Sequence, residues 1–299
     1  MSLAPGAKGA AAARAYAAWL VVCVVWGTTY LAIRISIETY PPLLMSAVRW
    51  LTAGSLLVAI LVSRGQRLPG RATWPGLAML GLLLIGFGNG AVVWAEQTVP
   101  SGLTAVLVAV APFWMVAIEA LVPGGAPLTP RSAGGLLVGF AGIVVLVWPD
   151  LQVGGPPGFT GGVIATQLAC LGWALGSVYS KRRGPGEHVL AAVSIEMLFG
   201  GLWLLAGGLL HREWSMAAYS LRSTLGVLYL VAFGSIVGFS AYTYALGHLP
   251  VATVSLYAYV NPLIAVALGT AVLHEPVSAR MLAAAAIVLA GMAIVRGKR

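Results

Sequence analysis

The sequence predicts an all-α, polytopic membrane protein: ten transmembrane helices in two inverted five-helix repeats. Three observations carry this. The chain is poor in charge, its apolar residues form ten runs of spanning length, and its second half repeats its first. Of 299 residues, 60% are hydrophobic and 8% charged, and the mean hydropathy is +0.93. A soluble domain carries about 25% charged residues, so the solvent expected here is lipid. Ten helices of about 20 residues use about 200 positions, which leaves short loops and tails.

Polar or Pro/Gly breaks delimit the runs. They place helix 1 at Tyr16–Ile35, helix 2 at Leu43–Val62, helix 3 at Trp74–Ala95, helix 4 at Ser101–Val122 and helix 5 at Arg131–Trp148. Helix 6 is expected at Phe159–Ser180, helix 7 at Val189–Leu210, helix 8 at Ser223–Leu246, helix 9 at Val251–Leu273 and helix 10 at Ser278–Arg296. Lipid offers no partner to a free amide or carbonyl, so runs of this length must be helical. Lys8 and Arg14 precede helix 1 as in a secretory signal. Helix 1 has a counterpart in helix 6, however, and is read as an uncleaved span.

Loop cations set the expected orientation. With both termini cytoplasmic, the inner segments collect Lys8, Arg14, Arg64, Arg67, Arg71, Arg131, Lys181, Arg182, Arg183, Arg296, Lys298 and Arg299. The outer loops hold only Arg34, Arg212, Arg222 and Arg280. Trp19, Trp74, Trp148 and Trp214 fall near span ends, where indoles favour the interface. The chain is therefore expected in the cell inner (plasma) membrane, N-in and C-in.

Displaced by 147 residues, Cys23-Val24-Val25-Trp26 meets Cys170-Leu171-Gly172-Trp173, Arg34 meets Lys181 and Arg49 meets Glu196. At 150, Pro100 meets Pro250, Pro112 meets Pro262 and Trp94 meets Tyr244. At 149, Pro127 meets Pro276, Arg131 meets Arg280 and Ala141-Gly142 meets Ala290-Gly291. Apolar sequences resemble one another by composition, but matched prolines and charges exceed that. The halves are 1–150 and 151–299. Five helices is an odd number, so the second half enters the membrane from the opposite side. Inverted repeats of this kind belong to alternating-access transporters.

Trp26-Gly27-Thr28-Thr29-Tyr30 in helix 1, Arg49 in helix 2, Pro112 in helix 4, Asn261-Pro262 in helix 9 and His274-Glu275-Pro276 before helix 10 together resemble the drug/metabolite transporter (DMT) superfamily, EamA type, and within it the YddG amino-acid exporters. The resemblance covers nearly the whole chain. It implies helices around a central cavity, with helices 5 and 10 at the back, and transport of small organic solutes, often outward. The loop before helix 5 departs from the family: it reads Gly124-Gly125-Ala126-Pro127 where an acidic residue is common. Glu275 is accordingly read as a loop residue capping helix 10.

Charges inside a membrane are costly and therefore informative. Arg49 and Glu196 alone lie well inside spans, each about 10 Å from its helix start at about 1.5 Å per residue. Arg49 is expected in the outer third, to attract a substrate carboxylate, and Glu196 in the inner third, bordering the inner opening. The competing reading is a structural bond from each to a neighbouring carbonyl or hydroxyl. Glu96 and Glu119, near the ends of helices 3 and 4, are explained by interfacial solvation. Pro112 and Pro262 fall about 18 Å into their helices and free the carbonyls of Val108 and Ala258, for flexing, for binding or as static kinks.

Trp26, Tyr30, Trp94, Trp114, Trp173, Tyr242, Tyr244, Tyr257 and Tyr259 lie deep, where a hydroxyl or indole N–H needs a partner, so they face either the cavity or other helices. Asn89 and Asn261 suit an amino or carboxyl group, or bonds between helices. Gly135-Leu-Leu-Val-Gly139 and Gly234-Ser-Ile-Val-Gly238 have close-packing spacing.

An enzyme needs acid/base or metal groups gathered at one depth. No span holds an acidic pair, His211-Arg212-Glu213 lacks a second histidine at metal spacing, and Cys23 and Cys170 lie inside apolar runs. No catalytic residue, metal or cofactor is expected. The net charge of +9 reflects flanking arginines rather than a nucleic-acid face, and the partners are the bilayer and a small-molecule substrate of a monomer. One buried arginine disfavours multiply anionic solutes, and helices 1 and 6 lack the glutamate that a cationic-drug pump places there. An amino acid with an apolar or aromatic side chain fits best, moved by a facilitator. Other neutral or zwitterionic metabolites or drugs, and proton coupling, are the alternatives.

Overall fold

The computed structural model describes residues 5–125, 127–152, 156–183, 188–216 and 218–296. Within them the chain is helical and forms no strand. Helix 1 runs Pro5–Ser36, helix 2 Pro42–Ser63, helix 5 Pro130–Gln152, helix 6 Phe159–Arg183, helix 7 Val189–Leu210 and helix 10 Ala279–Arg296. Helix 3 is continuous over Arg71–Ala95 and helix 8 over Leu221–His248. Helices 4 and 9 are broken: Ser101–Val108 then Ala111–Leu121, and Val251–Val254 then Tyr257–Leu273. Among the described residues, seven of the ten helices are each long and apolar enough to cross a bilayer, and the apolar stretches of helices 5, 9 and 10 are shorter.

Each helix has a reason to sit where it does. Leu121, Leu137, Leu202, Leu210, Leu263 and Leu282 are exposed on the outside of the bundle. A belt of that size would drive aggregation in water, and in lipid it costs nothing. Inside, small residues bring helices together by counterparts. Helix 2 lies along helix 7, where a Cβ on Gly54 would stand 3.0 Å from the Ser194 carbonyl and one on Gly201 would stand 3.0 Å from the Leu51 nitrogen. Helix 5 lies along helix 10, where a Cβ on Gly291 would stand 2.6 Å from the Gly139 nitrogen and 2.7 Å from the Gly135 carbonyl. The Gly135/Gly139 spacing thus serves backbone-to-backbone packing, the usual means of joining helices where lipid removes the hydrophobic drive. Helix 1 packs on helices 8 and 9, and its counterpart helix 6 packs on helices 3 and 4.

The same relation holds in polar detail. Arg34, near the end of helix 1, donates to the backbone carbonyl of Glu96. Lys181, near the end of helix 6, donates to the carbonyls of Leu246 (2.8 Å) and Leu249 (3.0 Å). Each cation ties down free carbonyls at a neighbouring helix C-terminus, where positive charge is favoured.

Helices 3 and 8 both widen into π-helix, over Gly81–Asn89 and Leu230–Phe239. Run length and apolar periodicity do not predict this. A π turn carries an extra residue and is often found at functional sites. Its sequence trace is glycine: Gly81, Gly86 and Gly88 in one, Gly234 and Gly238 in the other. Pro112 stands in the first turn after the break of helix 4, as the missing N–H predicts. Pro262 lies within the continuous part of helix 9, while the break falls earlier, at Ser255–Leu256.

Glu275 corrects an expectation. Ser278 caps helix 10, accepting from the Met281 N–H at 3.1 Å. Glu275 reaches across to the start of helix 4 and accepts from Ser101 N (2.9 Å), Ser101 Oγ (2.9 Å) and Gly102 N (3.0 Å). Glu213 treats helix 2 alike, accepting from Leu44 N at 2.9 Å. Carboxylates on N-terminal amides are favoured by charge and by bonding. The counterpart of Glu275 in the first half is Ala126, which lies outside the described residues. Glu275→Ala strands three donors and should lower unfolding free energy by about 1–3 kcal/mol. Chemical denaturation in detergent micelles measures this, and an unchanged midpoint would contradict the capping role.

Candidate functional site

Arg49 is the centre of the polar interior. It is 2% exposed and is held between the two π segments. Its Nε donates to Ser235 Oγ at 2.8 Å, in helix 8. Its Nη1 lies 3.5 Å from Asn89 Oδ1, the last residue of the π segment of helix 3. Trp50 Nε1 donates to the same Asn89 oxygen at 2.9 Å, and the Arg49 guanidinium lies 4.6 Å from the Trp50 ring centre. Oxygen acceptors and an aromatic face replace the water that the cation has lost. Gly234 makes room for it: a Cβ there would stand 2.9 Å from Arg49 Nη2 and 3.0 Å from Thr29 Cγ2.

Beside Arg49 lies a cavity of about 70 Å³, space for several water molecules. Of the residues predicted to line it, Trp26, Tyr30, Arg49, Asn89, Trp173, Tyr257 and Asn261 do so. Trp50, Thr29, Ile33, Val92 and Cys170 complete most of the wall and were missed. Trp50 adjoins Arg49 in sequence and was the one legible signal among them.

The floor is an aromatic cluster. Trp26 stands 5.2 Å from Trp173 and 5.1 Å from both Tyr242 and Tyr257, centre to centre, with edge-to-face or tilted rings. Trp173 Nε1 donates to Tyr242 OH at 3.1 Å, and that hydroxyl donates to Ser177 Oγ at 2.6 Å, which itself donates to the Trp173 carbonyl. Trp26 Nε1 donates to the Gly234 carbonyl at 3.1 Å, within the π segment. Asn261, with its amide nitrogen turned toward helix 1, donates to Cys23 O (2.9 Å) and Tyr257 O (3.1 Å). Tyr242 itself is 1% exposed and backs the floor rather than lining the cavity.

Beyond the floor, about two turns further along helix 6 and one along helix 8, lies a second space of about 490 Å³. Ser180, Lys181, Arg183, Thr243, Leu246 and Glu196 line it. Glu196 is buried there, in a different space from Arg49.

The other predicted residues lie elsewhere, for a reason of helical phase. Residues two or five apart on a helix point to different faces at about 100° per residue. Trp94, five past Asn89, is 40% exposed, with its ring edge near Gly161. Tyr244, two past Tyr242, stacks on His248 at 4.2 Å. Tyr259, two past Tyr257, packs with the cluster around Val106, Val110 and Met281. Trp114 lies edge-on to Phe140 at 5.4 Å and donates to Gln167 Oε1 at 3.4 Å.

Glu96 is the second correction. Interfacial solvation was expected, yet it is 0% exposed and neither carboxyl oxygen has a hydrogen-bond partner. It stands just past the end of helix 3.

A model of the EamA-like transporter family matches this chain twice, over residues 13–148 and 160–297. The chain belongs to that family. This EamA-like protein, a member of the DMT superfamily, is a membrane transporter. It is 38% identical to an uncharacterized inner membrane transporter of Escherichia coli K12, YedA, over 95% of this chain and 91% of that one. It is 25% identical to a probable amino-acid metabolite efflux pump of Salmonella typhimurium, over 92% of each. A crystal structure superposes with a TM-score of 0.68 over 94% of this chain and 97% of its own, at 21% identity, a likeness of fold alone.

If Gly234 is small so that Arg49 can sit at the cavity, Gly234→Ala should displace the guanidinium and lower transport about tenfold, ~1.4 kcal/mol. Gly134→Ala, in helix 5, where an added Cβ meets nothing within 4 Å, should be neutral. Counterflow in proteoliposomes at matched protein content compares the two. Equal rates would remove Arg49 from the transport route.

Proposed function

We propose that this transporter exports amino acids with apolar or aromatic side chains from the cell, by alternating access of its two halves, 1–150 and 151–299. The observation that carries the reading is the pairing of one buried guanidinium with a wall and floor of Trp26, Trp50, Trp173 and Tyr257 around the same cavity. A carboxylate suits Arg49 as a bidentate partner, and the indole faces suit a flat or branched side chain. One cation balances one carboxylate and leaves an ammonium to be matched by carbonyl and amide oxygens. Anions with several charges would find no second cation among the described cavity residues. The likeness to a probable amino-acid metabolite efflux pump favours the same solute class. Other neutral or zwitterionic metabolites share that chemistry and are the nearest competitors.

The membrane is the cell inner membrane, with the Arg34 end outward and both termini in the cytoplasm, as the loop cations favour. The Trp26–Trp173–Tyr242–Tyr257 cluster then stands between the cavity and the inner vestibule of Lys181 and Glu196. It is the barrier that must part when the transporter opens inward. Arg34 and Lys181, on matching carbonyls at opposite ends, are equivalent ties that the two halves make and break in turn.

Uptake into proteoliposomes across the twenty amino acids tests this, with sugars and quaternary ammonium ions as controls. Apolar and aromatic amino acids should exchange in a saturable manner. Arg49→Ala should cost about tenfold or more, ~1.4 kcal/mol per tenfold, with Arg49→Lys intermediate because ammonium lacks the planar fork. Exchange of sugars or quaternary ammonium ions alone would overturn the substrate class. Tags on the two termini should both report the cytoplasmic face, and tags on opposite faces would overturn the alternating scheme.

A further inference from the structure

Among the residues whose side chains the structure describes, four acidic ones stand at the Arg34 end of the bundle. Three have partners. Glu38 pairs with Arg222 at 3.3 Å, Glu213 accepts from Leu44 N, and Glu275 accepts from Ser101 and Gly102. Glu96 has none for either oxygen, although it is the most deeply buried of the four. An ionised carboxylate without water or a donor is among the costliest groups a structure can hold, and the neutral acid is far cheaper.

Its position is tied to the cavity. Glu96 follows Val92 by one helical turn and Asn89 by two, and both of these line the cavity. The groups facing it are mixed. Arg34 of helix 1 and Arg49 of helix 2 favour its ionised form, and Glu275, from the segment before helix 10, opposes it. Tyr30 of helix 1 is also within electrostatic reach. Helices 4 and 6, packed nearby, carry no titratable group over residues 101–118 and 159–169. Burial outweighs both arginines and holds the carboxyl well above the usual carboxylate range.

The inverted half supplies an internal control. Arg34 binds the backbone carbonyl of Glu96, and Lys181 makes the equivalent bond to Leu246. The tie therefore forms over leucine as well as glutamate, so holding Arg34 does not account for a carboxyl at position 96.

We propose that Glu96 is a proton-binding residue of the transport cycle: the Arg34 end of the cavity closes only over neutral Glu96. When that end opens, water reaches the carboxyl, which gives its proton to water and becomes a carboxylate. The carboxylate then lies within reach of Arg34 and Arg49 and competes with the solute for Arg49. Closure requires that a proton return. The expectation of a simple facilitator rested on the lack of a carboxyl at the cavity. Glu96 does not itself line the cavity; it stands one helical turn beyond Val92, which does. The sign follows: closure is favoured at low pH and weakened as pH rises through the range in which the closed form must lose its proton. The competition for Arg49 rests on the substrate reading above; the proton-controlled closure does not.

The test needs no substrate. Cys170 lines the cavity, so its alkylation by N-ethylmaleimide in a Cys23→Ser background reports opening. Rates are compared with those of the same protein carrying Glu96→Gln, in the same buffers from about pH 5 to about pH 8.5, so that thiol ionisation cancels. The expected ratio, glutamate over glutamine, rises about threefold or more with pH, from a closed toward an open population. Glu96→Leu, the residue of the other half, should behave as Glu96→Gln, and Glu96→Asp should keep the titration. A ratio flat across that range, in protein that elutes as the parent does, overturns the proposal. In proteoliposomes with pH set separately on each side, amino-acid exchange should slow on acidification of the Arg34 side only, and Glu96→Gln should abolish that asymmetry. If no amino acid is exchanged at all, the substrate reading fails while the thiol titration still decides Glu96.

Discussion

A guanidinium buried within a lipid-embedded bundle must be given acceptors by the protein, and much of this architecture follows from meeting that demand at Arg49. Helices 3 and 8 each take on π-helical form where they pass it. That change brings Asn89 and Ser235 to the guanidinium, and Trp26 meets the Gly234 carbonyl with its indole N–H. A regular α-helix keeps its backbone groups to itself, whereas a π segment offers some of them to neighbours. The tryptophans that satisfy these groups are also the walls of the cavity. Solvating the charge and walling the cavity are one arrangement.

The two halves are equivalent in frame and different in chemistry. The pairing of helix 2 with helix 7 and helix 5 with helix 10, the two π segments and the Arg34 and Lys181 ties all recur. The chemical groups do not. Arg49 faces a cavity where its counterpart Glu196 borders a vestibule, and Glu96 stands where the other half has Leu246. Helix 9 also breaks at a different point from helix 4. The frame is shared between the halves, and the polar side chains set on it are not.

Polar groups at the helix ends are disposed economically. Glu213 and Glu275 each secure the N-terminus of a helix distant in sequence, and Arg34 and Lys181 secure C-terminal carbonyls. These bonds replace water where loops meet the membrane surface. Glu96 is set apart because it shares the location without sharing the bonding.

Composition, run length and the offsets of matched prolines and charges were enough to read ten helices, two repeats and a transporter family, because lipid forces long apolar runs to be helical and leaves little else to choose. Buried Arg49 and the aromatic set Trp26, Tyr30, Trp173 and Tyr257 were legible for the same reason: polar and aromatic groups at that depth need a protein or cavity partner. Which aromatics share the cavity was settled by the phase of each helix, and Trp94, Tyr244 and Tyr259 turn away. The π segments, the reach of Glu275 to helix 4 and the burial of Glu96 were decided by tertiary structure alone. Each depends on which distant segment packs alongside, and a residue one step beyond a span is solvated or buried according to neighbours that its own sequence does not name.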